Sequence, residues 1–476
     1  MSSISAGSLA TLVGSIDGAG PAYRELADRI RLLVLDGRLA HQTRLPSERV
    51  LAEAMGVSRT TTTRVYAELR DQGLIESHRG SGSLVRVPSS VSSRTALIPR
   101  DHDGDTIALT HAAATAPAGV GRAFEAALHE LPGLLATTGY LPDGLPVLRQ
   151  RLASLYTARG LPTDAEQILV TSGAMGGIAL VAKSLLRRGD RVLVESPAYP
   201  HAVDAFRAFG GRPVPLPAGP TPWDAGAMRS SLRRTPARLA YLVPDFHNPT
   251  GHVMDDATRR EVAKVLREAD VVPLVDETMV GLNLDGILMP RPFAAHHPRA
   301  ITVGSAAKTF WGGLRLGWLR VPRDMVMPLI HERMALDLGS SAFEQLVMVH
   351  LLSDDTVRDA TVARHREQRD TLAAALAREL PDLAFTLPKG GMSLWVDLGD
   401  RVSSALTMRA AQHRLLLTPG PRFFAGPGSV GERFVRLPFT QAPEVLEDAV
   451  RRLGRAWRHE SATQEGSDTP ELDLIA

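Results

Sequence analysis

The chain has 476 residues, 44% apolar and 22% charged, with a formal net charge of +2 at pH 7. This length predicts two or three domains, and so small a net charge gives no argument by itself for nucleic-acid binding. Because the chain has no cysteine, no signal-peptide pattern and no long apolar run, we predict a cytoplasmic protein without disulfides, metal site or membrane contact.

The first part of the chain consists of short stretches of regular apolar spacing separated by turn residues. Residues 1–20 are small, polar and rich in Gly and Ser, which predicts a flexible arm. Between residues 21 and 87, three stretches with apolar residues at helical spacing precede two short strand-like runs joined across residues 78–82. Three helices followed by a glycine-containing hairpin predict a winged helix-turn-helix, a small α+β domain.

The third predicted helix starts with an unusual density of hydroxyl and guanidinium groups, in Ser58-Arg59-Thr60-Thr61-Thr62-Thr63-Arg64. A helix start presents backbone amides to phosphates, and short hydroxyl side chains can donate to phosphates or base edges. Arg59 and Arg64 are long enough to read guanine in the major groove. The alternative is an ordinary solvated helix face, which the charge count alone favours.

Three motifs in this region together resemble the GntR family of DNA-binding regulators. They are Leu-Pro-Ser-Glu-Arg at 45–49, Val-Ser-Arg-Thr-Thr at 57–61 and the Gly-Ser-Gly turn of the hairpin. The resemblance implies a double-stranded DNA operator as partner. It implies DNA contacts from Arg49, Arg59, Thr60, Thr61 and, in the wing, Arg79 and Gly80, to which the helix-start pattern adds Ser58 and Arg64.

The remainder of the chain is predicted to be a linker, a large domain and a tail. Residues 88–105 are Ser/Pro-rich without periodicity and are taken as the linker. In residues 106–458, apolar strand-like runs alternate with helical patterns, which favours a largely parallel α/β sheet covered by helices. The pattern changes from about residue 322, indicating a smaller α+β lobe. Residues 459–476 predict an acidic disordered tail.

Lys308 is one of four lysines among 54 basic residues. It follows an apolar run and is flanked by small residues, in Gly304-Ser305-Ala306-Ala307-Lys308-Thr309. An amine can be desolvated, deprotonated and made to attack an aldehyde, whereas arginine keeps its proton. The alternative is a solvated charge, which is the better interpretation of the other three lysines.

This stretch resembles the cofactor lysine of fold-type I enzymes that use pyridoxal 5′-phosphate (PLP). The resemblance implies that Lys308 forms an aldimine with PLP and that Asp276, closing an apolar strand, pairs with the pyridinium nitrogen. It further implies that Asn248, in Asn-Pro-Thr-Gly, donates to the ring oxygen and that Tyr199 stacks on the ring. Each of these residues also has an ordinary structural interpretation when it is considered alone. Asp276 could cap a helix, Asn248 could belong to a turn, and Tyr199 could be a core tyrosine.

Small residues after a strand could form a phosphate site at a helix start, with Ser172, Gly173, Ala174 and Met175. Such turns are common, so the motif is weak alone. Ser305 and Arg315 could complete it, the arginine through its planar fork. Tyr140 matches the family tyrosine that reaches the phosphate of a neighbouring subunit, which implies a homodimer.

Arg436 lies in an apolar strand and therefore needs an anion; it matches the arginine that binds a substrate carboxylate. The resemblance to class I/II aminotransferases spans residues 106–458, and with the GntR-type head the chain resembles the MocR subfamily of regulators. A family tyrosine after Asp276 is missing, although Thr278 could substitute with a shorter reach. We therefore expect a regulator that senses PLP or an amino compound, an amino acid or amine; the alternative is an active aminotransferase with a DNA-binding head.

Overall fold

The structure is a computed structural model. It describes residues 3–14, 16, 21–35, 39, 43–78, 82–86, 105–216, 223–426 and 430–465. The chain divides into two compact units, and the division in the linker region falls between Thr106 and Ile107. The predicted linker 88–105 and the wing residues Arg79 and Gly80 lie outside the described residues, apart from Asp105. No described helix is long and apolar enough to cross a membrane.

The first unit contains the predicted three helices and hairpin, with one additional helix before them. Its elements are α1 Ala6–Val13, α2 Ala22–Leu35, α3 Glu48–Met55, α4 Arg59–Asp71, β1 Ile75–His78 and β2 Gly82–Val85, the two strands being antiparallel. Ser47 caps α3 by accepting from the Val50 amide, and Gly56 ends it with a φ of 66°. Val65 and Leu69, which lie four residues apart on one face of α4, are buried.

Helix α1 corrects the prediction of a flexible arm over residues 1–20. Ser5 accepts a hydrogen bond of 3.1 Å from the Ser8 amide and so caps the helix start. Leu9 and Val13, four residues apart on one face, are buried in the core formed by α2, α3 and α4. The apolar contact of these two side chains outweighs the weak helix propensity of the small residues around them.

The second unit contains a sheet of seven strands in the order β4-β10-β9-β8-β7-β5-β6. Six of the strands run in the same direction, and β10 is antiparallel to both of its neighbours, β4 and β9. Strands β6 and β10 are absent from the sequence prediction. The strands are β4 Ile168–Thr171, β5 Arg191–Val194, β6 Arg212–Pro215, β7 Leu239–Leu242, β8 Val272–Asp276, β9 Ile301–Ser305 and β10 Gly317–Arg320.

Helices cover both faces of this sheet, because its central strands are buried on both sides. Two apolar cores result, one on each face. The helices are α5 Val120–Leu135, α6 Pro146–Ala158, α7 Gly173–Leu185, α8 Pro200–Ala208, α9 Ala225–Arg234, α10 Asp256–Glu268, the single turn α11 Ala306–Thr309, α12 Arg323–Arg333 and α13 Ala342–Leu351.

A second sheet of five strands, in the order β11-β12-β14-β13-β3, forms the smaller lobe. Strand β3 pairs in parallel with β13, and the other neighbours are antiparallel. The elements of the lobe are β3 Ile107–Leu109, α14 Asp355–Glu379, β11 Ala384–Phe385, β12 Ser393–Asp397, α15 Ser403–Gln412, β13 Leu415–Pro419, β14 Phe434–Pro438 and α16 Pro443–Glu465.

Two predicted boundaries are wrong. The small lobe does not start near residue 322, since α13 packs in the large core and β3 joins the small sheet. The disordered tail does not start at residue 459, since α16 continues to Glu465. This helix buries Leu446, Leu453 and Ala456 against the small sheet. Residues 459–465 contain neither proline nor glycine, so the helix continues through them. Residues 466–476 lie outside the described part of the chain.

Candidate functional site

Lys308 lies in the short turn α11, directly after the buried strand β9. Ser305 ends the strand and caps the turn, its hydroxyl accepting from the Ala307 amide at 3.1 Å. The Lys308 amine donates to the backbone carbonyl of Ala112 at 2.8 Å. Burial, together with the charge of Arg436, lowers the pKa of Lys308 to about 8. A substantial fraction of the amine is therefore neutral near physiological pH and able to act as a nucleophile.

Asp276 is the last residue of β8 and is 4% exposed. Its Oδ2 accepts from the Tyr241 hydroxyl at 2.6 Å, and its Oδ1 accepts from the Thr278 amide at 2.9 Å. Burial raises the pKa of Asp276, while the hydrogen bonds from Thr278 and Tyr241 oppose that rise. A buried carboxylate in this state favours a cationic partner, such as a protonated pyridine nitrogen.

The phosphate-site residues of the prediction come together through strand β10. Gly317 at the start of β10 is paired with Ser305 on one side and with Thr171 on the other, so both neighbouring strands end at the same edge. A Cβ on Gly317 would lie 2.5 Å from the Ala174 amide nitrogen. The backbone of Gly317 thus packs closely against the start of α7, which has no side-chain cap.

Arg315 lies beside the start of α7. A Cβ on Gly173, whose φ is 77°, would lie 3.1 Å from Nη2 of Arg315. Ser172 donates from its hydroxyl to Asp337 at 3.1 Å, and Met175 packs against one of the apolar cores. An exposed guanidinium next to unobstructed helix amides is a suitable site for a phosphate group.

Arg436 in β14 is 6% exposed, and among the described residues no carboxylate acts on its charge. Its Nη2 donates to the Thr110 carbonyl at 2.7 Å and its Nη1 to Oδ1 of Asn248 at 3.4 Å. The guanidinium carbon lies 4.9 Å from the centre of the Phe423 ring, and Nε has no acceptor. Burial lowers the pKa of Arg436 to about 10. The group is desolvated and incompletely paired, as a carboxylate site requires.

Two tyrosines of the prediction differ in their surroundings. Tyr199 immediately precedes α8, and burial, then the charge of Asp276, raises its pKa to about 12, so its ring lies near that carboxylate. The Tyr140 side chain is 68% exposed. The structure therefore brings Lys308, Asp276 and Tyr199 together and leaves Tyr140 on the surface.

These residues fit PLP on three observations. The buried Nε of Arg436 lacks an acceptor, the start of α7 has no side-chain cap, and Lys308 has a lowered pKa. Lys308 would hold the cofactor aldehyde and Asp276 the ring nitrogen, while the cradle at the start of α7 would hold the phosphate. The cofactor, when bound, supplies an electron sink at the carbon next to an amino group.

Several residues near the site have no counterpart in the sequence prediction. The carbonyls of Thr110 and Ala112 accept from Arg436 and Lys308, and no sequence signal distinguishes one backbone carbonyl from another. Tyr241, which donates to Asp276, could have been noticed as the one hydroxyl inside the apolar run Leu239–Val243. Phe423 lies under Arg436 and follows a turn with no motif.

In the first unit, Arg49 lies at the start of α3, Ser58, Arg59, Thr60 and Thr61 lie at the start of α4, and Arg64 lies further along α4. Ser58 caps α4, because its side-chain oxygen accepts from the Thr61 amide at 3.1 Å. This oxygen is therefore engaged in the helix cap. Arg59 and Thr60 are exposed, as is Arg49 in the first turn of α3. Arg64 stacks on Tyr23, with its guanidinium carbon 4.0 Å from the ring centre.

Comparison with known proteins decides the family. A model of the family described as aminotransferase class I and II matches residues 123–453. The chain belongs to this family. A second model, described as bacterial regulatory proteins of the gntR family, matches residues 22–85. The chain is therefore a GntR-type transcriptional regulator fused to an aminotransferase-like domain, the architecture of the MocR subfamily, and PLP is the cofactor of that second domain.

Similar proteins include both regulators and enzymes. YisV of Bacillus subtilis, an uncharacterized HTH-type transcriptional regulator, is 28% identical over 84% of this chain and 89% of its own length. A 2-aminoadipate transaminase of Thermus thermophilus is 32% identical over 63% of this chain and 78% of its own. The structure of LysN, an alpha-aminoadipate aminotransferase from T. thermophilus complexed with N-(5′-phosphopyridoxyl)-L-leucine, is 29% identical with a TM-score of 0.69, covering 75% of this chain and 94% of that one.

Proposed function

We propose that this regulator is a cytoplasmic homodimer that binds an operator through its GntR-type module and senses PLP, or an amino acid or amine bound next to PLP, in its second domain. The observation that carries the proposal is Arg436, a buried and incompletely paired guanidinium beside the cofactor lysine. A buried cation without an anion costs stability unless a ligand completes it. An amino-acid carboxylate is the ligand of matching charge and geometry.

Within the site, each residue has a separate task. Lys308 binds the cofactor aldehyde through its neutral amine, and Asp276 holds the proton of the ring nitrogen by its negative charge. Asn248 donates to the ring oxygen and Tyr199 covers one face of the ring. The phosphate would be bound by Ser305, by Arg315 and by amides and hydroxyls at the start of α7. The residues at that helix start are Ser172, Gly173, Ala174 and Met175.

The absence of a family tyrosine two or three residues after Asp276 favours sensing over rapid turnover. Met279, three residues after Asp276, is 5% exposed and packs with Ala112, Phe246 and Leu282, so this position holds an apolar side chain without a hydroxyl. Thr278 is already bonded to Asp276. Without the tyrosine, the ring oxygen depends mainly on Asn248, and the deprotonated cofactor is less stabilised.

DNA binding is assigned to the exposed groups at the starts of α3 and α4. Arg59 and Thr60 project from the first turn of the recognition helix α4, and Arg49 from α3. Thr61, Arg64, Arg79 and Gly80 complete the proposed contacts, with Ser58 positioning the helix start. The exposed side chain of Tyr140 is free to contribute to the phosphate site of the partner subunit in the proposed homodimer.

The alternative function is a working aminotransferase, which the similarity to the T. thermophilus 2-aminoadipate transaminase favours. The two functions are separated by incubating the PLP-loaded protein with a panel of amino acids and a keto-acid acceptor. A sensor changes the cofactor absorbance and the DNA affinity with one amino compound, and forms less than a few equivalents of product. Sustained product formation with no effect on DNA binding would support the enzyme instead.

A further inference from the structure

The segment Thr110–Ala112, here called the bridging segment, directly follows β3 and contacts both functional cations of the second domain. The Thr110 carbonyl accepts from Nη2 of Arg436 at 2.7 Å, and the Ala112 carbonyl accepts from the Lys308 amine at 2.8 Å. Thr418 of β13 adds a hydrogen bond of 3.2 Å to the Thr110 carbonyl. The bridging segment therefore occupies donors that the cofactor and a carboxylate ligand also need.

The bridging segment is held more weakly by its other contacts. Ala112 packs in a small apolar cluster with Phe246, Met279, Leu282 and Met392. The His111 side chain bonds to its neighbour, with 2.7 Å between Nδ1 and the Thr110 hydroxyl. Strand β3 itself is three residues long and lies at the edge of its sheet. So short an edge strand contributes few ladder hydrogen bonds, and the contacts with Lys308 and Arg436 are a large share of what orders the segment.

A carboxylate competes directly with the Thr110 carbonyl for Arg436. Hydrogen bonds between a guanidinium and a carboxylate are charge-assisted on both sides and are stronger than those to a neutral carbonyl. Attachment of the Lys308 amine to the cofactor aldehyde removes N–H groups from the same nitrogen that donates to Ala112. In the PLP-loaded protein, the bond from Arg436 to Thr110 is thus the main polar contact that a ligand carboxylate can break.

We propose that the bridging segment occupies the effector site when no effector is bound. An amino-acid carboxylate then releases the segment by replacing the Thr110 carbonyl as the acceptor of Arg436. This inference rests on the proposed sensing function, since it names the element that responds. The chain leaves the DNA-binding module and enters the second domain through β3, three residues before Thr110. Release of the bridging segment therefore changes the constraint on the covalent connection between the two modules.

The absence of cysteine from the natural chain allows a clean test. Ala113→Cys introduces a single thiol at an exposed position next to the bridging segment, and a nitroxide label there reports the mobility of the backbone. The matched control is Ser154→Cys, exposed on α6 in the same unit. The full-length PLP-loaded protein is measured with and without 2-oxoglutarate, a carboxylate that has no amine and leaves Lys308 attached to the cofactor.

We expect 2-oxoglutarate to raise the ratio of mobile to immobile label at Ala113→Cys roughly tenfold, the effect of losing one charge-assisted hydrogen bond, and to leave the control unchanged. Arg436→Gln raises the same ratio without any ligand and abolishes the response. A wild-type far-ultraviolet circular dichroism spectrum and a cooperative thermal unfolding transition show that this variant folds, and Arg436→Lys, which keeps the charge, gives an intermediate ratio.

An immobile label in folded Arg436→Gln overturns the proposal, whatever ligand the protein senses. This outcome is distinguishable from failure of the sensing function, in which the label responds to Arg436→Gln but no amino compound changes the cofactor absorbance or the DNA affinity. Equal mobilisation of the Ser154→Cys control by Arg436→Gln also overturns it, since the change would then be a general loosening of the domain.

Discussion

The Tyr241 hydroxyl donates a hydrogen bond of 2.6 Å to Oδ2 of Asp276, and both side chains are buried. They come from neighbouring parallel strands, β7 and β8, and the bond opposes the rise in the pKa of Asp276 that burial causes. Tyr241 therefore helps to keep the carboxylate negative, which is the form that holds a protonated ring nitrogen.

Tyr241→Phe is expected to weaken PLP binding about tenfold, because one hydrogen bond to a charged group contributes about 1.5 kcal/mol. The measurement is a PLP titration of the cofactor-free protein, followed by absorbance. Tyr156→Phe is the matched control, since Tyr156 is equally buried but accepts from Trp318 instead of contacting Asp276. Equal PLP affinity of the two variants would contradict the role given to Tyr241.

Lys308→Ala is expected to abolish the near-visible absorbance of covalently bound PLP while leaving thermal unfolding of the cofactor-free protein nearly unchanged. The reason is that an amine is needed to join the aldehyde, and Lys308→Arg fails equally because its guanidinium stays protonated. Lys183→Ala, which changes a lysine paired with Glu332 on the surface, serves as the control. Persistence of the absorbance band in Lys308→Ala would show that another lysine carries the cofactor.

The rate at which the cofactor-free protein takes up PLP should rise with pH through about 8. The neutral amine is the reactive form, and its fraction grows as pH passes the lowered pKa of Lys308, reaching a plateau within about one to two pH units above it. Since the charge of Arg436 contributes to that lowering, Arg436→Gln should move the midpoint to higher pH. Stopped-flow absorbance across this range measures both. A rate still rising tenfold per pH unit at high pH would indicate an unperturbed lysine.

Arg59→Ala is expected to weaken DNA binding and to flatten sequence preference, because one bidentate contact to a base is worth about 1–3 kcal/mol. The DNA is a fragment that the protein selects from a random pool, and anisotropy titrations are made at one salt concentration against a scrambled fragment. Arg70→Ala, in the last turn of the same helix and near Glu48, is the matched control. A wild-type ratio of specific to scrambled affinity in Arg59→Ala would refute the base contact.

Met279→Tyr restores the hydroxyl that the family has near the ring oxygen. We expect it to lower the pKa of the bound cofactor and to increase transamination, because a donor to the ring oxygen stabilises the deprotonated form. A spectrophotometric pH titration and a product assay with a keto-acid acceptor measure the two effects, and Met392→Leu, in the same apolar cluster, is the control. An unchanged cofactor pKa, with PLP still bound, would mean that the missing hydroxyl does not explain slow chemistry.

Much of the fold and the type of cofactor could be predicted because local patterns determine them. Asp276 ends the buried strand β8, and Asn248 and Lys308 lie in the turns that follow the buried strands β7 and β9. Capping residues such as Ser47 and Ser58 set the starts of α3 and α4 through contacts within one turn. These features depend on neighbours along the chain, so the amino-acid order alone is enough to recognise them.

The order of the two modules, the helix starts and the type of cofactor are therefore determined by local sequence. Packing of the whole domain was needed to decide that β10 runs antiparallel between β4 and β9, which brings Ser305 and Thr171 to the two sides of Gly317. It was equally needed to bring Tyr241 to Asp276 and the carbonyls that follow β3 to Arg436 and Lys308. These contacts join residues distant in the chain, and a backbone carbonyl is chemically the same in every residue. Only the three-dimensional packing of the strands therefore selects which carbonyls and hydroxyls meet the functional side chains.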